Sequence, residues 1–157
     1  MAQKKIVITV SKQFPKTKRR SGEPTQFREK LTKGEKIHTI RRNYDLWRVN
    51  AEKMERGGYY LSIRQWLGKP YRTKQEEIRQ IHHPIGVQRI SLHWYADREE
   101  LKAVVDGVEV NPKQIAKNDG LSYEDFVDWF FEGEMEEDAH FDGVVIHFTP
   151  FRYTQSI

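Results

Sequence analysis

The sequence contains no cysteine. This absence excludes a disulfide framework and thiolate metal ligands, and it fits a reducing cytosol. No apolar run approaches the roughly 20 residues that a membrane-spanning helix needs, and the first residues lack the apolar core of a signal peptide. We therefore expect a soluble, cytoplasmic protein with no membrane partner.

Several enzyme signatures are also missing. There is no glycine-rich loop of the phosphate-binding type and no nucleophile elbow for Ser/His/Asp catalysis. The six histidines lack short ligand spacing, and the adjacent His82 and His83 would point to opposite faces of a strand. The segment from Glu132 to Asp138 is acidic but lacks the spacing of a calcium loop, so we expect an exposed surface. We predict no metal and no cofactor, although spacing leaves open whether histidines converge in space.

Charge is divided between the two halves of the chain. Residues 1–75 hold 20 Lys and Arg against 6 Asp and Glu, whereas residues 76–157 hold 7 against 17. A basic half can gather nucleic acid through phosphate contacts, but the same division can also let the two halves attract each other. The basic loop at 11–24 is predicted to be a mobile arm, either solvated or in contact with phosphate. Its cations are Lys12, Lys16, Lys18, Arg19 and Arg20.

The 157 residues suit one domain, and their patterns alternate between strand and helix periods, which predicts an α+β fold. The first strand is a continuous β-branched run, so we expect it to be central or buried on both faces. The last strand is expected to return to the sheet centre or close a barrel. The predicted strands are Ile6–Val10, Tyr59–Trp66, Gln75–Ile81, Val87–Tyr95, a hairpin over Ala103–Val110, and Val144–Phe148.

The helices are predicted from their caps. Inward-facing side chains are expected at Leu46, Val49, Trp47 and Met54 of the second helix, and at Phe126, Trp129 and Phe130 of the last. The predicted helices are Thr25–Lys33, a segment from Asn43 to Arg56, a segment from Pro112 to Asp119, and one that begins at Ser122 and ends near Phe131.

The segment from Gly34 to Arg42 concentrates ionisable side chains around two isoleucines. Gly34 supplies a break and the β-branched residues favour extension, so the segment is predicted to be a turn leading into a short strand. Burying Lys36, His38 and Arg41 together is costly without partners, which favours a functional pocket. The alternative is an edge strand with solvated charges.

A second basic segment contains aromatic residues. Trp66 ends a predicted strand that also carries Arg64, and Tyr71, Arg72 and Lys74 follow a turn. This mixture is typical of single-strand nucleic-acid binders, which stack a base on an aromatic ring and hold its phosphate. The alternative is that Trp66 and Tyr71 only cover the core.

The order of the motifs resembles the ASCH domains of the PUA-like superfamily. The resemblance covers Ile6 to Tyr153 and is carried by Gly34-x-Lys36-x-x-Thr39-Ile40-Arg41 and by Asp119-Gly120-Leu121-Ser122 followed by Asp125-Phe126. It implies a single ASCH/PUA-like domain over 1–157, folded as a small mixed β-barrel with helices packed at its ends. It also implies a cleft beside the Lys/Thr/Arg motif that faces RNA or a modified nucleotide.

Some bacterial ASCH proteins are small amidohydrolases that remove an acyl group from N4 of cytidine with a lysine, a threonine and an acidic residue. Matched by position, these catalytic residues fall on Lys36, Thr39 and Asp119. The acid is aspartate here, whereas those hydrolases carry glutamate. In a regular strand, residues three apart point to opposite faces, so Lys36 and Thr39 converge only if the backbone bends near Lys36.

Three hypotheses follow. The first is a binding domain for RNA, single-stranded nucleic acid or a modified nucleotide in a basic cleft. The alternative is an amidohydrolase of N4-acylated cytidine or a related nucleoside that uses Lys36, Thr39 and Asp119. In the third, the protein is structural and the motif satisfies a buried network. The ligand contacts of the first hypothesis are His38, Arg41, Arg42, Arg64, Trp66, Tyr71, Arg72 and Lys74.

Overall fold

The computed structural model describes residues 3–16, 18–132 and 134–154. Within these ranges the chain forms four helices and eight strands in an α+β arrangement, as predicted. No helix in the described ranges is long and apolar enough to cross a membrane. The helices are α1 (Phe27–Lys33), α2 (Tyr44–Arg56), α3 (Pro112–Asn118) and α4 (Tyr123–Phe131). The strands are β1 (Lys4–Thr9), β2 (His38–Arg41), β3 (Tyr59–Trp66), β4 (Gln75–Ile81), β5 (Gly86–Tyr95), β6 (Glu100–Val105), β7 (Val108–Val110) and β8 (Ala139–His147).

The strands form two sheets. One has the order β1-β3-β4 and the other the order β2-β8-β5-β6-β7. The last strand returns to the interior of the five-stranded sheet, where β8 lies between β2 and β5, and the central position belongs to β5. Across the described residues, however, no ladder joins the two sheets, so the expected closed barrel is not formed. The four-residue β2 pairs with β8 alone, and its contact with β1 is made by a side chain: the Arg41 guanidinium donates to the Thr9 carbonyl.

The expectation that the first strand is central or buried on both faces is wrong. β1 pairs only with β3, in parallel, and forms an edge of the three-stranded sheet. Ile6 and Ile8 are buried, whereas Val7 between them is 38% exposed. The β-branched run therefore reflects strand propensity at an edge, with one face turned to solvent.

The core lies between the sheets and the helices. Leu61 and Ile63 of β3, Leu92 of β5 and Phe126 of α4 are completely buried. Each such side chain stabilises the fold by about 1.5–3 kcal/mol relative to exposure. Both sheets and α4 therefore share one core.

The inward face of α2 is only partly as predicted. Trp47 and Met54 are buried as expected, but Leu46 and Val49 are exposed and Ala51 takes an inward position. The helix is rotated so that its largest apolar surface, the indole, is removed from water, since aromatic side chains gain most from burial.

Local turn and cap signals are confirmed. Asp106 and Gly107 both have positive φ, at 48° and 79°, as the tight turn between β6 and β7 requires. Asn43 accepts a hydrogen bond from Leu46 N at 3.0 Å, and Ser122 accepts from Asp125 N at 3.1 Å. These caps fix where α2 and α4 begin.

The basic loop at 11–24 is packed instead of forming a free arm. Phe14 is buried, and its ring lies 5.7 Å from that of Trp129. Arg19 and Arg20 bind the two carboxylate oxygens of Asp125 at 2.6 and 2.5 Å. Residue 17 lies outside the described residues. The prediction of a mobile arm is therefore wrong where the loop is described, because its arginines are used to attach it to α4.

Candidate functional site

A cleft of about 480 Å³ opens where the end of β1, helices α1 and α4, and strand β2 meet. This volume lies in the range of small-molecule sites. One group of lining residues is polar and the other is aromatic. The polar lining includes Lys18, Lys36, Thr39, Arg41, Arg42 and Asp119, and the aromatic lining is Phe27, Trp129, Phe130 and Phe141.

The chain bends at Lys36, as convergence with Thr39 requires. Gly34 ends α1 with a φ of 78°, and Lys36 N donates back to Lys30 O at 3.1 Å. Strand β2 begins only at His38, so Lys36 belongs to the turn that precedes it. The alternation of the strand therefore does not apply to Lys36, and its side chain enters the same cleft as Thr39.

Asp119 reaches the cleft from the turn between α3 and α4. It caps the C-terminus of α3, and Gly120 follows with a φ of 81°. A Cβ atom on Gly120 would lie 3.2 Å from Lys36 Cβ, so glycine permits both the conformation and the close approach. The carbonyl of Gly120 also accepts from Lys30 Nζ at 2.7 Å. The turn is thus fixed against α1 and the Lys36 segment.

Lys36 and Asp119 form a buried ion pair on the cleft wall. Lys36 Nζ donates to Asp119 Oδ1 at 3.0 Å and to the Asp119 carbonyl at 2.8 Å. The residues are only 2% and 5% exposed. Burial lowers the pKa of Lys36, and the attraction of Asp119 opposes this only in part. Burial also acts on Asp119, but the Lys36 and His38 contacts outweigh it and keep the pKa of the carboxyl below its ordinary value.

Thr39 lines the same cleft, where its hydroxyl is bonded to Arg41. Its Oγ1 accepts a hydrogen bond from Arg41 Nη1 at 2.8 Å. Arg41 also donates to the carbonyls of Ile40 and Thr9, so the guanidinium is held from three sides. Burial lowers the pKa of Arg41, yet an arginine in this state still carries its charge at neutral pH. A cationic donor on the hydroxyl oxygen favours loss of the hydroxyl proton.

His38 lies beneath the cleft, where it does not line the surface open to a ligand. It is completely buried, with Nδ1 3.3 Å from Asp119 Oδ1 and Nε2 2.6 Å from the Tyr153 hydroxyl. Burial lowers the pKa of His38, so the ring is neutral. Since a carboxylate only accepts, Nδ1 carries the proton and the Tyr153 hydroxyl donates to Nε2. His38 therefore orients Asp119, and the predicted direct contact with a ligand is not supported.

Tyr153 was not identified by the sequence patterns. Its hydroxyl accepts from Asn118 Nδ2 at 3.0 Å, which completes a chain from Asn118 through Tyr153 and His38 to Asp119. Burial raises the pKa of Tyr153, so it remains a donor. A tyrosine beyond the last strand has no motif of its own, and only the tertiary fold brings it to the site.

A second buried histidine lies next to this chain. The His147 ring is 5.6 Å from that of His38, and its Nε2 lies 2.9 Å from Gln88 Oε1. Gln88 also bonds both the backbone N and the carbonyl of Tyr153, so it fastens the C-terminal segment. Burial, with the nearby His38 and Arg152, lowers the pKa of His147 to about 3. The described residues contain no group of three acidic or histidine side chains arranged to hold a metal.

The remaining predicted contacts fall into two separate groups. Arg41 and Arg42 line the cleft, and the Arg42 guanidinium lies 4.8 Å from the centre of the Phe141 ring. Five other residues lie on β3 and in the loop that follows it, outside the cleft lining. The predicted ligand contacts therefore do not all lie in a single basic cleft. The residues outside it are Arg64, Trp66, Tyr71, Arg72 and Lys74.

Comparison of the chain with protein-family models, with curated proteins and with solved structures found no match. Function is therefore inferred from the cleft and the residues around it.

Proposed function

We propose that the chain is an ASCH-type, PUA-like domain whose cleft binds a nucleoside with an acylated base and hydrolyses its exocyclic amide. One observation supports this most. Lys36 and Asp119 form an almost fully buried ion pair, and Thr39 and Arg41 line the same cleft as this pair. The sheets do not close into a barrel, but the residues matched to the lysine, threonine and acid of the amidohydrolases share the cleft.

The position of the ion pair favours chemistry over a purely structural role. A buried pair costs desolvation energy and contributes little net stability. Here the pair also lines a cleft, and both members have perturbed pKa values. Perturbed groups in a cleft are typical of catalytic sites.

The reaction divides into an acylation and a deacylation. Lys36 rests as the charged partner of Asp119, and its lowered pKa makes the neutral amine accessible. The Thr39 hydroxyl attacks the carbonyl carbon of the amide while Lys36, in this neutral form, takes its proton, and Arg41 stabilises the negative charge that develops on oxygen. Lys36 then protonates the exocyclic nitrogen as the C–N bond breaks. Water hydrolyses the resulting threonine ester and passes one proton through Lys36, which releases the free acid and restores the hydroxyl. Asp119 accepts two N–H bonds of Lys36, so the lone pair of the neutral amine is left to take the proton of Thr39.

The aromatic lining suits a planar base. Phe27, Trp129, Phe130 and Phe141 surround the polar group, and Lys36 Nζ itself lies 4.3 Å from the centre of the Phe27 ring. Aromatic walls can stack a base, since every base has a π-face. Trp129 and Phe130 were predicted to be inward-facing and are only half-buried, because they line this cleft.

The direct test is incubation of the purified protein with N4-acetylcytidine and measurement of cytidine by chromatography. Thr39→Val keeps the shape of the side chain but removes the nucleophile, so we expect turnover to fall by at least about 100-fold. Thr32→Val makes the same change on the exposed side of α1 and should leave turnover unchanged. If the wild type leaves the substrate intact, or if Thr39→Val retains full turnover, the proposed reaction is wrong.

A non-catalytic binding domain is the second candidate, favoured by the cations at the cleft mouth. Lys18 and Arg42 lie in the lining beside the aromatic residues, and such a combination can hold a nucleotide without any reaction. In this case a modified nucleoside would bind both the wild type and Thr39→Val with equal affinity, and neither would release product. Isothermal titration alongside the turnover assay separates the two candidates.

A further inference from the structure

The three-stranded sheet carries both Thr9, which lines the cleft, and Trp66, which contacts Tyr71. Along β1 and β3, Ile8 and Ile63 point into the core. Because successive side chains alternate, Thr9, Arg64 and Trp66 point to the opposite face. This face is the one that carries the second group of predicted contacts.

The path from the cleft to Trp66 is short. Thr9 lines the cleft and pairs with Arg64 in the register of β1 and β3. Neighbouring strands lie about 4.8 Å apart, and residues two apart on a strand are separated by about 7 Å. Trp66 therefore lies within about 10 Å of a cleft-lining residue, on one continuous face.

Tyr71 extends this face into solvent. It is 89% exposed, and its ring centre lies 5.1 Å from that of Trp66. Its φ of 64° is unusual for a residue other than glycine. The loop is closed by Thr73, whose Oγ1 accepts from Gly68 N and donates to the Lys69 carbonyl, both at 3.0 Å. The fold therefore holds an aromatic ring in water with one face free.

The loop around this ring is basic. Lys69, Arg72 and Lys74 are exposed, and none of them makes an ion pair within the described ranges. The carboxylates that follow the loop in sequence are already bonded: Glu76 to Arg28 and Gln65, and Glu77 to Ser62 and Gln80. The positive charge of the loop is therefore left for an anionic ligand.

We infer that Trp66, Tyr71, Arg72 and Lys74, which we name the loop platform, bind the nucleotide next to the one held in the cleft. The substrate of the cleft is then an acylated base within a single strand of nucleic acid. The Tyr71 ring stacks on the neighbouring base, and Arg72 and Lys74 hold phosphates. This inference rests on the proposed function in one respect, namely that the cleft holds a nucleoside.

The first experiment measures binding of a fluorescein-labelled, single-stranded RNA with one internal N4-acetylcytidine, by fluorescence anisotropy. Tyr71→Asn removes the ring and keeps a residue that tolerates positive φ, so folding is unaffected. We expect Kd to rise at least fivefold, the effect of losing one stacked base. Tyr71→Phe should restore the wild-type affinity. Equal affinity of the wild type and Tyr71→Asn would overturn the inference.

The second experiment tests the phosphate contacts through salt. The pair Arg72→Gln with Lys74→Gln should make the slope of log K against log[salt] shallower by about 1.4, since each contact to a single strand contributes about 0.7. The matched control is Arg98→Gln with Lys113→Gln, which removes the same charges from exposed positions outside β3 and its loop. A slope that changes equally in both pairs shows only a general charge effect and contradicts the platform.

The third experiment separates this inference from the proposed function. With the RNA as substrate, Tyr71→Asn should raise KM at least fivefold, whereas turnover of free N4-acetylcytidine should be unchanged. If no substrate is hydrolysed but Tyr71→Asn still weakens RNA binding, the chemistry is wrong and the platform remains. If the free nucleoside is hydrolysed normally and the wild type does not bind the RNA, the platform is wrong and the chemistry remains.

Discussion

Two carboxylates on either side of the turn between α3 and α4 bind cations in contrasting surroundings. Asp119 meets Lys36 and His38, and all three are almost completely buried. Asp125 meets Arg19 and Arg20, whose side chains are 54% and 39% exposed. The pKa of the carboxyl is lowered in both contacts, but the first contact lines a cleft, whereas the second attaches a surface loop to α4.

Asp119 and Asp125 are equally buried, at 5% and 4% exposed, so burial of the cation decides what such a contact does. When one partner of a buried pair is removed, the other charge is left in the interior at a cost of several kcal/mol. When the partner of an exposed arginine is removed, water replaces it at little cost. The two carboxylates therefore make a natural pair for matched substitutions.

The largest expected difference in stability is the one between Asp119→Asn and Asp125→Asn. Asp119→Asn leaves Lys36 charged without its counterion, so we expect the free energy of unfolding to fall by about 3–5 kcal/mol. Asp125→Asn leaves two arginines that can turn to solvent, and we expect a loss of about 1 kcal/mol. Urea denaturation at neutral pH measures both. Equal losses would show that burial does not distinguish the two contacts.

A second prediction concerns acid, because His147 and His38 are buried neutral behind the cleft. Their pKa values are lowered on folding, so the unfolded state binds protons more readily and stability falls as pH drops below about 6.5. Each histidine contributes a slope of up to about 1.4 kcal/mol per pH unit. Because the pKa of folded His147 is about 3, His147→Gln should reduce the slope between pH 6 and pH 5 by up to about 1.4 kcal/mol per pH unit, measured by urea denaturation. An unchanged slope would show that His147 is protonated in the folded protein.

The smallest expected effect is that of salt on the Asp125 contact. Arg19→Gln leaves the buried Asp125 paired with Arg20, so it should lower the free energy of unfolding by at most about 1 kcal/mol at low salt. The difference from the wild type should disappear near 1 M salt, where the screening length is about 3 Å. Lys16→Gln with Lys18→Gln removes two charges from the same loop and should have no such salt-dependent effect. A loss that persists at high salt would indicate that packing rather than charge attaches the loop.

Features with local causes could be predicted from the sequence. The Asp106-Gly107 turn and the caps at Asn43 and Ser122 depend on neighbouring residues, and all three are confirmed. Features that depend on distant partners were predicted poorly. The edge position of β1 and the packed loop depend on pairing with β3 and on Asp125, neither of which leaves a pattern in the segment itself.

The candidate site also contains some features with local causes and others that depend on distant partners. Gly34 and the β-branched residues predicted a turn and a strand, and the resemblance connected Lys36 with the distant Asp119, which the structure brings together. Tyr153 could not be predicted, since its contact with His38 depends on how the C-terminal segment returns across Gln88. Thr39 and Arg41 are two apart on β2 and therefore share a face, but which donor meets the Thr39 hydroxyl depends on side-chain placement in the folded protein.

The open seam between the two sheets gives Arg41 a mechanical role as well as a chemical one. Its guanidinium is bonded to the Thr39 hydroxyl on one side and to the Thr9 carbonyl on the other. The side chain that joins β2 to β1 is therefore also one that a ligand in the cleft would meet.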